Sequence, residues 1–165
     1  MDVIISNAAL QWVPEHRELL VRWAGGLNPG GWLAFQVPGN FGAPSHVLLR
    51  ELAGSPRWRE RLGGVLRSDP VSEPAEYVAL LAEAGCRVNA WETTYAQILP
   101  GDDPVLEWVK GTALRPVLTA LGTDSAEAAE FLDDYRALLR EAYPAAPYGT
   151  VFPFRRIFVV ARREP

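Results

Sequence analysis

The chain has 165 residues, of which 48% are apolar and 22% are charged, and its formal net charge is −4. This composition supports a folded domain with a substantial core and excludes a disordered chain, while the acidic balance argues against a general binder of nucleic acid or membrane surfaces. One cysteine and two histidines exclude an internal disulfide framework and a recognisable zinc site.

The first 40 residues predict a strand, a helix and a second strand. Residues 2–6 are a β-branched run without polar alternation, which is typical of a strand covered on both faces. Pro14 marks the first turn of the following helix, in which His16 is expected to be exposed. Residues 32–37 form a second apolar run, so residues 1–40 predict a βαβ unit with two parallel strands.

The rest of the chain predicts helices around two further strands. In chain order these are a helical segment over 41–85, a strand over 86–99, a helical cap over 103–143 and a final strand over 150–162. Within the cap, Pro116 is expected to interrupt one helix, and Thr123, Asp124 and Ser125 are expected to cap the next. The predicted fold class is therefore α/β with an added helical cap.

Two segments resemble parts of class I S-adenosylmethionine-dependent methyltransferases, the first the fourth strand with its following loop and the second the fifth strand. They are residues 6–16, SNAALQWVPEH, and residues 27–38, LNPGGWLAFQVP. Further motifs are similar to those of the trans-aconitate methyltransferase family, at residues 36–40, 44–46, 83–86, 91–95, 106–109 and 154–158. The resemblance extends over essentially the whole chain, but only to the C-terminal part of that family.

This resemblance implies a partial Rossmann-like sheet that contains the last strands of the fold, with an antiparallel final strand and a helical cap insertion. All 165 residues are then expected to be the C-terminal part of a single methyltransferase domain. In the family, a glycine-rich loop and an acidic residue in the first half hold the methyl donor, S-adenosyl-L-methionine. No such glycine-rich motif precedes a helix in this sequence. We therefore expect donor binding to be weak or absent and the chain to be inactive alone.

The family reaction transfers a methyl group to a carboxylate of trans-aconitate and gives a monomethyl ester. A carboxylate is deprotonated near neutral pH, so no catalytic residue is required as a general base. Catalysis would depend on aligning the reacting atoms and on excluding water. The alternatives are another small carboxylic acid or a malonyl thioester as the acceptor, or a non-catalytic truncated protein.

A tricarboxylate acceptor requires cationic partners, because Arg forks pair with carboxylates. The side chains of Arg155 and Arg156 alternate along a strand, so only one can face a given site, and the family motif favours Arg156. The candidate substrate-binding residues are Arg156, His46, Arg115, Trp12 and Tyr95. By resemblance, the loop after the first strand lies beside the donor and the acceptor, which makes Ser6, Asn7, Ala8 and Leu10 the candidate cofactor-binding residues.

The expected partner is a small tricarboxylate, without a nucleic acid or a membrane. No apolar run reaches the roughly 20 residues that span a bilayer, and we expect a cytoplasmic protein. The apolar strand at residues 2–6 has no preceding strand to pair with, and bare apolar edges associate. The sequence therefore predicts a homodimer or aggregation through this segment, or disorder of the segment itself.

Overall fold

The computed structural model describes residues 1–67 and 70–165. The part of the predicted helical segment 41–85 that falls on Ser68 and Asp69 lies outside the described residues. The strands are β1 (Val3–Asn7), β2 (Trp32–Pro38), β3 (Cys86–Leu99), β4 (Ala145–Ala146) and β5 (Gly149–Arg163). The helices are α1 (His16–Gly25), α2 (Pro44–Gly54), α3 (Arg59–Leu62), α4 (Pro74–Glu83), α5 (Pro104–Lys110), α6 (Arg115–Leu121) and α7 (Ala126–Ala142).

The strands form one sheet with the order β1-β2-β5-β3, and β4 pairs with β5 off this path. β1 and β2 are parallel, with Asn7 opposite Gln36, as the βαβ pattern predicts. β5 runs antiparallel to β2 and places Arg156 opposite Pro38. The predicted α/β class and the antiparallel final strand are confirmed.

The chain divides into two compact units, which we describe separately. The first contains Met1–Asn40, Asp69–Tyr95 and Phe154–Pro165, and the second contains Phe41–Ser68 and Ala96–Pro153. The unit boundaries fall within the lengths of β3 and β5.

In the first unit, one face of the sheet is buried against α1 and α4. Leu33 of β2 and Val159 of β5 are fully buried there together with Leu20 of α1 and Leu81 of α4, and burial of each such side chain contributes about 1.5–3 kcal/mol. His16 is also buried, and its Nε2 lies 3.0 Å from the Tyr77 hydroxyl of α4. The expected exposure of His16 is therefore wrong, because α4 packs over the first turn of α1.

The opposite face of β1 is not covered within the part of the chain that the structure describes. Val3 is 57% exposed and Ile5 is 76% exposed, although Ile4 packs against the core. The prediction of a strand covered on both faces is thus wrong for β1. An uninterrupted apolar run fits both a buried strand and an edge strand with one exposed apolar face. Among the described residues, α1 and α4 pack on one side of β1 and no helix covers the other side.

In the second unit, α7 packs on α2, with Phe131, Tyr135 and Leu139 buried on α7. The helix begins after Ser125, whose hydroxyl oxygen accepts a hydrogen bond from the amide of Ala128 at 3.0 Å. This is one of the three cap residues that the sequence offered. The described residues contain no helix with the length and apolarity that a bilayer crossing requires.

Pro116 lies in the first turn of α6 and does not interrupt that helix. A first-turn residue needs no backbone N–H for an intrahelical bond, so proline is tolerated there. The expected interruption at this residue is therefore wrong.

Candidate functional site

A fixed loop follows β1 at the carboxyl ends of the two parallel strands, where ligands bind in open α/β sheets. Ala8 adopts a left-handed conformation with φ of 49°. Its amide donates to the backbone carbonyl of Gln36 at 2.9 Å, and its carbonyl accepts from Nε2 of Gln11 at 2.7 Å. A 3₁₀ turn, Leu10–Trp12, follows, so the loop is held by bonds from both sides.

Three polar side chains form a hydrogen-bonded chain across β1, β2 and β5. Gln36 lies in the middle and donates from Nε2 to Oδ1 of Asn7 at 2.8 Å. Its Oε1 accepts from Nη1 of Arg156 at 2.8 Å. Asn7 ends β1, and Arg156 lies opposite the last residue of β2. The row of three hydrogen-bonded side chains therefore runs along the strand ends, beside the loop.

The two neighbouring arginines of β5 differ in their charge partners. Arg155 donates to Glu73 at 3.1 Å and to Glu92 at 3.0 Å. These two carboxylates raise the pKa of Arg155. In turn, the hydrogen bond from Arg155 lowers the pKa of Glu73. The guanidinium of Arg156 lies over the ring of Phe154 at 4.9 Å. Among residues 1–67 and 70–165, no carboxylate forms an ion pair with Arg156. Arg156 is therefore the cation of this pair that can receive a carboxylate ligand.

The other candidate residues in the first unit could offer a ligand exposed aromatic rings or backbone groups. Trp12 is 62% exposed and Tyr95 is 45% exposed, so both aromatic side chains are open to a ligand. Ser6 is half-buried. Leu10 is a member of the hydrophobic core, so only its backbone is available to a ligand.

His46 and Arg115 belong to the second unit. His46 is half-buried in the first turn of α2, with its Nδ1 3.3 Å from the Ser45 hydroxyl and the ring of Phe41 at 5.2 Å. Burial, with the charge of Arg50 adding to it, lowers the pKa of His46 from 6.5 to about 4. At neutral pH this imidazole is thus a neutral hydrogen-bonding group and not a cation. Arg115 begins α6 with an exposed side chain.

The second unit also contains a cavity of about 290 Å³ with charged walls. Asp103 accepts from Arg140 at 2.6 and 2.9 Å and pairs with Arg136 at 3.2 Å. The hydrogen bond from Arg140 is the main reason that the pKa of Asp103 is lowered. Since both cations are already paired with a carboxylate, this cavity is less suited to an anionic ligand than the strand ends.

The sequence-based candidates did not include Gln36 or Asn40. Gln36 is 7% exposed and Asn40 is 3% exposed, and Oδ1 of Asn40 accepts from the backbone amide of Arg155 at 2.6 Å. A signal for Gln36 was present, since it is the single polar residue in the apolar run 32–37. The role of Asn40 depends on a contact with a residue far away in sequence, which no local pattern gives.

The parallel pair of β1 and β2 and the antiparallel β5 beside it have the strand arrangement of a partial class I methyltransferase fold. The YcgJ protein from Bacillus subtilis shares this fold, with a TM-score of 0.52 and 14% identity, over 100% of this chain and 64% of that one. No protein-family model matches the chain.

Several relatives at higher identity carry the name trans-aconitate 2-methyltransferase. The protein from Streptomyces coelicolor is 61% identical over 163 residues, which cover 98% of this chain and 54% of that protein. The protein from Rhodococcus jostii is 58% identical over 164 residues, covering 98% of this chain and 64% of that protein. This similarity confirms the resemblance that the sequence motifs predict, and the chain spans between 54% and 64% of the length of these relatives.

Proposed function

We propose that this chain contributes the acceptor-binding part of an S-adenosyl-L-methionine-dependent methyltransferase that esterifies a carboxylate of trans-aconitate. The observation that carries the proposal is Arg156, a half-buried guanidinium at the strand ends that no carboxylate neutralises within the described residues. The name shared by the curated relatives supports the choice of acceptor. A cytoplasmic location fits a reaction that uses two small metabolites.

The chemistry asks little of the protein beyond binding and alignment. The acceptor carboxylate is already a nucleophile near neutral pH, so the absence of a general base from the candidate residues is consistent with the proposal. Arg156 would fix one carboxylate, and the exposed rings of Trp12 and Tyr95 would cover apolar parts of the acceptor and exclude water.

The residues present fit the methyl donor only in part. The loop of Ser6, Asn7, Ala8 and Leu10 offers backbone groups, but both backbone groups of Ala8 and the Oδ1 of Asn7 are already hydrogen-bonded within the chain. This sequence also contains no GxGxG-like motif between a strand and a helix. We therefore assign no step of donor binding to these residues and place the contribution of the chain on the acceptor side.

The proposal is tested by calorimetric titration of the chain with trans-aconitate. Replacing Arg156 by Gln should weaken binding at least about tenfold, because a charge-assisted hydrogen bond contributes about 1.5–3 kcal/mol. The matched control is Arg162→Gln, which removes the same charge from the same face of β5 at the far end of the strand, where the guanidinium lies over Trp32. Arg162→Gln should leave the affinity unchanged.

Competition with citrate and a malonyl thioester tests the acceptor. Trans-aconitate should displace both. If the chain is indifferent to all three ligands, or if Arg156→Gln and Arg162→Gln behave alike, the proposed acceptor site is wrong.

A further inference from the structure

Gln36 has a buried side-chain amide whose oxygen and nitrogen both form hydrogen bonds. It lies in a strand between Phe35 and Val37, which are both buried, and burying an amide is costly unless it is hydrogen-bonded. Here Oε1 accepts from Arg156 and Nε2 donates to Asn7, each at 2.8 Å. The backbone carbonyl of the same residue accepts the amide of Ala8. Gln36 thus holds both the loop and the arginine.

The guanidinium of Arg156 determines which group donates and which accepts in the hydrogen bonds that link Arg156, Gln36 and Asn7. An arginine side chain donates hydrogen bonds and accepts none, so the oxygen of Gln36 must face Arg156. The nitrogen of Gln36 then faces Asn7, and Asn7 must accept through its oxygen. Consequently, the NH₂ group of the exposed Asn7 side chain points away from Gln36 and is left as a donor at the strand ends.

We propose that Gln36 is a positioning residue that presents two donors, the Arg156 guanidinium and the Asn7 amide, to the carboxylates of the acceptor. This inference rests on the proposed function, and it deepens it by moving Asn7 from the donor side of the site to the acceptor side. Gln36 itself touches no ligand. It acts by fixing the position of Arg156 and by fixing which end of the Asn7 amide faces the site.

The substitution Gln36→Glu separates this role from a purely structural one. The carboxylate that it introduces still accepts from Arg156, and it can accept from Asn7 once that amide turns over, so the buried contacts are remade. The turned amide would present its oxygen to the acceptor, and the carboxylate would neutralise Arg156. A structural role predicts normal binding in this variant, whereas a positioning role predicts its loss.

The experiment measures trans-aconitate affinity and thermal unfolding for the 165-residue chain and its variants. Gln36→Glu should lower the affinity at least about tenfold with only a small change in the unfolding midpoint. The matched control is Gln97→Glu, which adds the same charge on β3 and should bind normally. Asn7→Asp, which keeps an acceptor for Gln36 and removes the outward NH₂ group, should also weaken binding.

Nuclear magnetic resonance of the arginine side chains gives a second readout that needs no ligand. In the wild-type chain, the Nη protons of Arg156 should exchange slowly with water, and rotation about its Cζ–Nη bonds should also be slow. Both processes should become faster in Gln36→Leu. If those signals do not change, or if Gln36→Glu binds trans-aconitate as the wild type does, the positioning role is overturned. If the wild type binds no trans-aconitate while the Arg156 signals depend on Gln36, the proposed acceptor fails and the hydrogen-bonded chain remains as a structural feature only.

Discussion

At the scale of single residues, His46 makes the stability of the protein depend on pH. Its pKa is lowered in the folded state from 6.5 to about 4, with burial as the main cause, so the unfolded chain binds the proton more tightly. The free energy of unfolding is therefore undiminished by His46 above pH 6.5. It falls as the pH decreases toward 4, by up to about 3 kcal/mol in total.

Urea denaturation at pH 7 and pH 4.5 measures this effect. The wild type should lose more stability between the two pH values than His46→Gln, which has no proton to take up. Glu73 and Asp103, whose pKa values are lowered, also cost stability in acid, but they do so equally in both proteins. Equal losses in the wild type and the variant would show that His46 is not buried as the structure has it.

Among the polar residues at the strand ends, the sequence indicated Asn7 and Arg156 as candidates but not Gln36 or Asn40. Strand alternation separates Arg155 from Arg156, and the family motif favoured Arg156. What sets the two apart in the structure is the pairing of Arg155 with Glu73 and Glu92, which are 82 and 63 residues away in sequence. Such partners are brought together by the fold, and a local pattern does not reveal them. Which of the candidate residues bind a ligand stays a prediction.

At the scale of helices, the start of α7 tests how precisely a cap can be read from sequence. Three consecutive polar residues offered a cap, and only the hydroxyl of Ser125 accepts the amide of Ala128. Replacing Ser125 by Ala should lower the free energy of unfolding by about 1 kcal/mol. Thr123→Ala is the matched control and should change it by less than about 0.5 kcal/mol, as measured by urea denaturation. A larger effect at Thr123 would place the cap elsewhere.

The strands and their pairing were easier to predict from the sequence than the exact start of a helix or the face of a strand that is buried. Apolar runs indicated β1 and β2 and their parallel pairing, because a strand, a helix and a strand in succession have few ways to connect. Pro116 was read as a break, yet it begins α6, since a proline gives the same signal inside a helix and at its start. The run in β1 did not reveal which face is covered, because that depends on where α1 and α4 pack.

At the scale of the whole molecule, the chain should bind S-adenosyl-L-methionine negligibly. It spans between 54% and 64% of the length of its relatives, and its sequence has no GxGxG-like motif before a helix to hold the donor. Calorimetric titration should give no measurable heat of donor binding, with trans-aconitate as the positive control in the same preparation. Micromolar donor affinity would contradict this prediction and would assign the loop after β1 a larger role.

The free edge of β1 should make the chain associate with itself. In the described part of the sheet, β1 pairs only with β2, and Ile5 beside that edge is 76% exposed. An uncovered strand edge presents unpaired N–H and C=O groups to another chain, and a lysine on it opposes such pairing. Light scattering should therefore show dimers or larger species whose share grows with concentration.

The substitution Ile5→Lys should shift that population toward monomer. The matched control, Val151→Lys, places the same charge at an exposed position of β5 and should leave the association unchanged. A monodisperse wild-type monomer whose β1 amides are protected from hydrogen exchange would contradict the prediction. It would mean that the pairing with β2 alone holds this strand, and that its exposed apolar face is tolerated in water.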